Sequence, residues 1–151
     1  SDPGFDAQPE YTIQSENNSA IGDSLVICRF VQERVLGTRL NDAYLPILRS
    51  ITGWDITLEE LERIAERIYT LERLINVRRG ASRATAMLPW RVMNEPIPDG
   101  PSKGRYCPQN ELEKMLGRYY RLRGWDENGI PTPTRLEELG IPGEGCTGEN
   151  P

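Results

Sequence analysis

The clearest pattern of apolar and polar positions lies between residues 57 and 80. Apolar side chains recur there every three or four positions, while charged side chains fill the opposite face. The apolar positions are Leu61, Ile64, Ala65, Ile68, Leu71, Leu74 and Ile75. Thr57 and Glu60 have the spacing of a capping box, in which each side chain binds the other residue's exposed backbone N–H. The segment is therefore predicted to form a long amphipathic helix that ends at Gly80.

Weaker patterns of the same kind predict three more main helices and one short helix. Their expected bounds are Ser24–Leu36, Asn41–Gly53, Asn110–Arg123 and, for the short helix, Thr134–Leu139. Prolines at positions 89, 96, 98 and 101 exclude a helix from residues 81–104. That proline-rich stretch is predicted to be a surface loop that lends a few side chains to the core, namely Leu88, Trp90, Val92 and Ile97.

The predicted fold is therefore all-α, with four main helices and a short one packed irregularly and not as an up-down bundle. A chain of 151 residues is long enough for one domain with a real core. Residues 1–20 are polar and contain Pro3 and Pro9, which indicates an extended lead-in. Residues 21–141 form the expected helical domain, and the Gly-rich residues 142–151 are expected to be a flexible tail.

Charge and composition argue against several functional classes for this chain. The net charge of −5 argues against nucleic acid or an anionic membrane surface as partner, and no apolar run approaches the length of a membrane span. The absence of histidine excludes imidazole acid–base chemistry from the chain. Its three cysteines, Cys28, Cys107 and Cys146, include no Cys-x-x-Cys pair, which suits a reducing cytoplasm and not a disulfide framework.

The segment Asp23–Cys28 places an acid and a thiol five residues apart in an otherwise apolar run. Asp23 has the character of a helix N-cap, since its carboxylate can accept from free backbone N–H groups. Cys28 is a plausible soft ligand for an iron–sulfur cluster. The alternative is a buried thiol that acts as a small hydrophobic side chain, and the residues alone favour that interpretation.

The remaining candidates carry weaker signals. Cys107 has no histidine to activate it as a nucleophile, and Cys146 lies in the tail. Arg78 and Arg79 are of the kind expected at a helix C-terminus, although together with Arg83 they can also contact a phosphate or a partner's carboxylate. We therefore expect no catalytic residue in the chain.

Four ordered segments resemble the C-terminal end of the tungsten-containing aldehyde ferredoxin oxidoreductase family, from about residue 23 to residue 141. They read DSLVICRF, ITGWDITLEELERIAERIYTLERLINVRRG, EPIPDGPSKG and YYRLRGWDENGIPTPTRLEELG. The resemblance implies that Cys28 is the fourth ligand of a 4Fe-4S cluster and that Asp23 contacts a pterin, with Leu25 and Ile27 in the same cofactor-binding segment. The family often has Gly-Leu before the cysteine, where this chain has Val26-Ile27.

The same resemblance implies a function for the complete protein. A tungstopterin (tungsten held by two molybdopterin dithiolenes) oxidises an aldehyde to a carboxylic acid, and electrons pass through the 4Fe-4S cluster to ferredoxin. Family members are several times longer and keep the other cluster cysteines and the catalytic acid–base residues in their remaining domains. The chain is thus expected to be a cytoplasmic C-terminal fragment or split subunit, inactive and free of cofactor when isolated.

Two rival interpretations remain. The chain can be a helical structural or interaction module that keeps the fold without the redox site. It can also belong to a tungsten subunit that reduces an aromatic ring in an aryl-CoA thioester. Neither the aldehyde substrate nor the choice between tungsten and molybdenum can be derived from the sequence.

Overall fold

A computed structural model describes residues 5–37 and 39–142, and the fold within these ranges is all-α, as predicted. The helices are α1 (Gln8–Ser24), α2 (Arg29–Val31), α3 (Tyr44–Thr52), α4 (Leu58–Arg78), α5 (Trp90–Asn94), α6 (Gln109–Arg123) and α7 (Pro133–Glu138). A π-helical turn, Gln32–Leu36, continues α2, and a 3₁₀ turn, Arg83–Thr85, follows α4. Within the described ranges, Trp125 and Pro131 form an isolated antiparallel β-bridge.

The long helix α4 confirms the strongest sequence prediction. The Thr57 N–H donates to Glu60 Oε2 at 2.8 Å, and the Glu60 N–H donates to Thr57 Oγ1 at 3.2 Å, so the capping box is complete. Leu61 and Ala65 on the predicted apolar face are buried. The helix ends at Arg78, just before Gly80, whose φ of +93° needs a residue without a Cβ.

Helix α1 packs against α4 and α6 and so forms the centre of the fold. The main core lies among α1, α3 and the first half of α4, and its buried residues are Ile21, Leu40, Tyr44, Leu45, Leu48, Ile56, Leu61 and Ala65. A smaller cluster joins the second half of α4 to α7 and consists of Leu74, Leu136, Leu139 and Ile141.

The prediction of an extended lead-in is wrong from Gln8 onward, where α1 begins, and residues 1–4 lie outside the described residues. The inner face of α1 is largely polar: Asn17 and Asn18 are buried, and Glu16 is half-buried. Partners on α3, α4 and α6 satisfy these side chains, so the helix shows no apolar period that sequence reasoning can detect. Of the predicted tail, residues 143–151 lie outside the described residues.

The prediction of one helix over Ser24–Leu36 is also wrong. Helix α1 ends at Ser24, a turn follows, and a new helical segment begins at Arg29. The apolar run in this region predicts burial on several sides of one helix. The run instead includes a turn in which Val26 is exposed, while Leu25 and Ile27 are half-buried. The predicted α3, α6 and α7 agree with the structure to within three residues at each end.

The proline-rich stretch contains the short helix α5 and the 3₁₀ turn Arg83–Thr85, although the prediction excluded any helix there. The five-residue helix fits between Pro89 and Pro96 because Pro89 occupies the N-cap position, where no backbone N–H is needed. The stretch contributes little to the core, contrary to expectation: Trp90 is 66% exposed, and Val92 and Ile97 are exposed as well. Within residues 5–37 and 39–142, no helix has the length and apolar character to cross a bilayer.

Candidate functional site

The predicted site lies at the turn that follows α1. The Val26 N–H donates to the Asp23 carbonyl at 3.1 Å, and the Ile27 N–H donates to the Gly22 carbonyl at 2.9 Å. This pair of bonds is a Schellman motif, in which the residue after the helix cap adopts the left-handed conformation. Val26 occupies that position with φ of +56°, so a β-branched side chain stands where glycine is favoured. The backbone of the turn is therefore strained between Asp23, the predicted pterin contact, and Cys28, the predicted cluster ligand.

Asp23 lies in the last turn of α1 and is exposed, so the predicted role as an N-cap is wrong. An acid at this end faces the negative pole of the helix dipole, which makes it unfavourable for the helix. Its charge nevertheless reaches Arg29 across the turn: Glu33 raises the pKa of the Arg29 guanidinium most, and Asp23 raises it further. The charge of Asp23 thus acts, as the weakest of these contributions, on the residue that follows Cys28.

Cys28 is exposed and lies at the N-cap position of α2, where its carbonyl accepts from the Gln32 N–H at 2.9 Å. Of the other two predicted residues, Leu25 is half-buried and packs against the main core. Ile27 is also half-buried. The structure therefore places Asp23 and Cys28 on either side of one tight turn at the surface, with Leu25 directed toward the interior.

Several exposed apolar side chains lie close to Cys28 in the sequence. Val26 is 91% exposed and Phe30 is 82% exposed, and Val31 and Val35 are exposed beside them. We call these four residues together with Cys28 the Cys28 surface. Large exposed apolar side chains that form one patch are typical of a surface that another protein segment covers.

The Cys28 surface offers one soft donor, the Cys28 thiol. The described ranges contain no group of three or more His, Cys, Asp or Glu side chains able to hold a metal ion. An exposed thiol is the soft donor that iron–sulfur clusters use, and such clusters are normally held by four protein ligands. Cys28 on its own therefore cannot complete a cluster site.

A buried polar group that the sequence analysis missed lies directly beneath the turn. Gln32 is 2% exposed, and its Nε2 donates to the Asn18 carbonyl at 2.7 Å and to the Tyr44 hydroxyl at 2.8 Å. The Tyr44 hydroxyl in turn donates to Asn18 Oδ1, and burial raises the pKa of Tyr44. We call Asn18, Gln32 and Tyr44 the amide clasp. No sequence signal pointed to it, because its members come from three separate elements.

A second polar network occupies the interior farther along α1. The Arg123 side chain is fully buried; its Nη2 lies 2.7 Å from Glu16 Oε2, and its Nη1 donates to Asn17 Oδ1 at 2.8 Å. The same guanidinium lies over the ring of Tyr69, with 4.3 Å between Cζ and the ring centroid. Arg123 thus links α6 to both α1 and α4.

Two phenols complete the network around Glu16. The hydroxyls of Tyr69 and Tyr119 donate to its two carboxylate oxygens, each at 2.7 Å. Burial and the hydrogen bond to Glu16 raise the pKa of Tyr69 to about 12, and burial raises the pKa of Tyr119 as well. Both phenols therefore stay protonated near neutral pH and serve as donors.

A cleft of about 1050 Å³ lies between α1, α4, α6 and the proline-rich stretch. Glu16, Tyr69 and Tyr119 contribute polar groups to its lining, and mainly apolar side chains make up the rest. It contains none of the four predicted cofactor-binding residues. Cys107 lines it, and burial and then Glu111 raise the pKa of that thiol, which disfavours the reactive thiolate.

Replacing Val26 with glycine is expected to raise the free energy of unfolding by about 0.5–1 kcal/mol. The left-handed conformation costs an L-residue about 1–2 kcal/mol, and the greater freedom of glycine in the unfolded chain offsets part of that gain. Val31→Gly is the matched control: this exposed valine has a helical φ of −68°, and its replacement should lower stability. Urea unfolding followed by circular dichroism measures both; destabilisation by Val26→Gly would show that the turn is unstrained.

Comparison with known proteins identifies the family. A family model described as aldehyde ferredoxin oxidoreductase, domains 2 & 3, matches residues 2–141. The chain belongs to this family, which confirms the resemblance seen in the sequence. It is 42% identical over 124 residues to the tungsten-containing aldehyde ferredoxin oxidoreductase of Pyrococcus furiosus, a match that covers 82% of this chain and 19% of that protein.

Two further relatives and one solved structure extend the comparison. The tungsten-containing aldehyde ferredoxin oxidoreductase of Thermococcus kodakarensis is 38% identical over 137 residues, covering 90% of this chain and 22% of that protein. An aliphatic sulfonate oxidoreductase, WOR-like subunit, of Pyrococcus furiosus is 33% identical over 141 residues, covering 89% of this chain and 22% of that one. The active site complex BamBC of benzoyl coenzyme A reductase matches with a TM-score of 0.70 and 26% identity, over 93% of this chain and 20% of that chain. The chain therefore spans about a fifth of the length of its relatives.

Proposed function

We propose that the chain is the C-terminal part of a tungstopterin oxidoreductase that oxidises aldehydes to carboxylic acids and passes the electrons to ferredoxin. In this proposal Cys28 supplies one ligand of a 4Fe-4S cluster and Asp23 contacts a pterin. The observation that carries it is the surface turn: the strained residue Val26 separates an exposed carboxylate from an exposed thiol on an apolar surface. Family membership supplies the chemical class.

The Cys28 surface suits a shared cluster site. A single thiolate cannot hold a 4Fe-4S cluster, so the remaining ligands have to come from the part of the protein that covers this surface. The exposed side chains of Val26 and Phe30 would then be buried around the cluster, where an apolar surrounding limits solvent access and influences the redox potential. The partner that covers the Cys28 surface in this proposal is therefore the rest of the same enzyme.

The cofactors divide the chemistry between them. When bound, tungstopterin takes two electrons from the aldehyde, and the 4Fe-4S cluster transfers electrons one at a time to ferredoxin. The role of this chain is to hold the Cys28 sulfur at the cluster and the Asp23 carboxylate at the pterin. Asp23 is suited to accept hydrogen bonds from pterin N–H groups, since an ionised carboxylate is an acceptor with two exposed oxygens.

Replacing Asp23 with alanine is expected to reduce the pterin content of the complete enzyme without lowering the melting temperature of the 151-residue chain. The carboxylate caps no helix and opposes the dipole at the end of α1, so its removal should be neutral or stabilising by about 0.3–1 kcal/mol. Asp23→Asn is the matched variant, because it keeps the shape and removes the charge. Fluorescence of the released, oxidised pterin and a thermal melt measure the two effects. Full pterin content in both variants would contradict the contact.

A second candidate reaction is reduction of an aromatic ring in an aryl-CoA thioester. The likeness to the benzoyl coenzyme A reductase complex favours it over other chemistries, since that match covers 93% of this chain. The higher identity to the aldehyde ferredoxin oxidoreductases places it second. A non-catalytic module is the third interpretation, and the exposed Cys28 surface also fits its docking role.

The test is an anaerobic assay of the complete purified protein with its tungsten and iron contents measured by mass spectrometry. We expect bound tungsten and iron, reduction of ferredoxin with short aliphatic or aromatic aldehydes, and no reaction with benzoyl-CoA. Turnover of benzoyl-CoA without aldehyde oxidation would favour the ring-reducing candidate. A protein without tungsten, iron or aldehyde oxidation would favour the non-catalytic module.

A further inference from the structure

Resting on the proposed function, we infer that the amide clasp positions Cys28 against the cluster and Asp23 against the pterin. Gln32 is the central member, with Asn18 and Tyr44 as its supports. These are positioning residues and not ligands: they act through the backbone of the turn that bears the two predicted cofactor contacts.

The first argument is the burial of Gln32. A buried amide is costly unless its hydrogen bonds are satisfied, and Gln32 is among the few polar side chains buried in the described core. Its two donor bonds, to the Asn18 carbonyl and the Tyr44 hydroxyl, join α1 and α3 at one point. The closed arrangement fixes the Gln32 side chain in a single orientation.

The second argument is the connection from Gln32 to both sides of the turn. The Gln32 N–H donates to the Cys28 carbonyl at 2.9 Å, which ties the cysteine to the first residue of the π-helical turn. On the other side the Gln32 amide presses against Gly22, where an added Cβ would overlap it. Gly22 in turn accepts the Ile27 N–H at 2.9 Å. Gln32 thus contacts the end of α1 next to Asp23 with its buried side chain and binds the Cys28 carbonyl with its own backbone N–H.

The third argument is the exposure of the two predicted cofactor contacts. Cys28 and Asp23 are both exposed, so core packing of their own side chains does not set the distance between them. The chain continues from Cys28 through the short helix α2 into the π-helical turn, a rare form that is frequent at functional sites. The Gly37 N–H donates to the Gln32 carbonyl at 3.0 Å and closes that turn. The clasp therefore adds to the two Schellman bonds in keeping the strained turn in one shape.

The test compares two phenols in the complete enzyme. Tyr44→Phe removes one hydroxyl from the clasp, and Tyr69→Phe removes one hydroxyl from the network around Glu16. Glu16 lies about 10 Å from Asp23 along α1, given a rise of 1.5 Å per residue. Both variants keep the aromatic ring and lose buried hydrogen bonds, so both should lower the melting temperature. Gln32→Met, which keeps the side-chain length, is a second clasp variant.

Three quantities are measured: the rate of iron release to a chelator, the midpoint potential of the cluster by EPR titration, and the melting temperature. We expect Tyr44→Phe and Gln32→Met to release iron about tenfold faster and to shift the potential, since loss of an outer contact weakens a metal site by that order. Tyr69→Phe should keep the parent rate and potential. Equal behaviour of Tyr44→Phe and Tyr69→Phe, or no change in either clasp variant, would overturn the inference.

The Cys28→Ala variant separates this inference from the proposed function. If Cys28→Ala loses the cluster while the clasp variants keep parent rates, the positioning role fails and the ligand assignment stands. If Cys28→Ala keeps an unchanged cluster, the proposed ligand fails and the positioning role falls with it.

Discussion

Replacement of Arg123 by methionine is expected to lower the free energy of unfolding by about 3–5 kcal/mol, the range found when one partner is removed from a buried ion pair. Arg123 is fully buried and forms ion pairs with Glu16 at 2.7 Å and with Glu66 at 3.7 Å. Methionine fills much of the same space but leaves both carboxylates without this cation. The expected decrease in the free energy of unfolding thus comes from uncompensated buried charge more than from lost side-chain volume.

The exposed pair between Arg118 and Glu10 provides the control, because it also joins α6 to α1. Arg118→Met is expected to cost less than about 1 kcal/mol, since exposed pairs gain little from their charges. Urea unfolding of the 151-residue chain, followed by circular dichroism at 222 nm, gives both values. Equal small losses in the two variants would show that the buried network does not hold α1 in place.

Replacement of Cys28 by alanine in the complete enzyme is expected to abolish or convert the cluster and to stop electron delivery to ferredoxin. The thiol is exposed at the surface and contributes little to packing, so the fold should remain. The expected loss is therefore one of redox function and not of stability. A melting temperature close to that of the parent protein distinguishes this outcome from unfolding.

Sequence reasoning succeeded where local signals and packing agree. Helix α4 has a capping box, an apolar stripe and a terminal glycine, and each signal indicates the same element. The four ordered segments between residues 23 and 141 also predict the family, which the family model confirms. The helix signals lie close together in the sequence, whereas the family signal lies in the order of the four segments.

The wrong predictions for residues 1–36 have one physical cause, namely that α1 buries polar side chains. Asn17 and Asn18 are satisfied by partners 14 to 106 residues away, such as Gln32 and Arg123. A helix held in this way has no apolar period, so its sequence predicts a lead-in and its C-terminal turn predicts a helix start. The N-cap predicted at Asp23 is wrong for the same reason, because Asp23 lies at the opposite end of a helix.

The same failure hid the amide clasp. Asn18, Gln32 and Tyr44 carry no motif, and their meaning depends on three elements meeting in space. The sequence predicts Asp23 and Cys28 as site residues because the family resemblance implies a role for each. The hydrogen bonds that support the geometry of the turn cannot be predicted from the sequence, because they form only when the three elements meet in the fold.

The most direct test of the central claim is the iron content and EPR spectrum of the complete enzyme with Cys28→Ala, compared with Cys107→Ala. Cys107 is a buried thiol that lines the cleft and lies outside the Cys28 surface. We predict that Cys28→Ala loses the 4Fe-4S signal and bound iron, whereas Cys107→Ala keeps four irons and the parent spectrum. An unchanged cluster and undiminished aldehyde oxidation in Cys28→Ala would contradict the assignment and leave Cys28 as a surface thiol without a redox role.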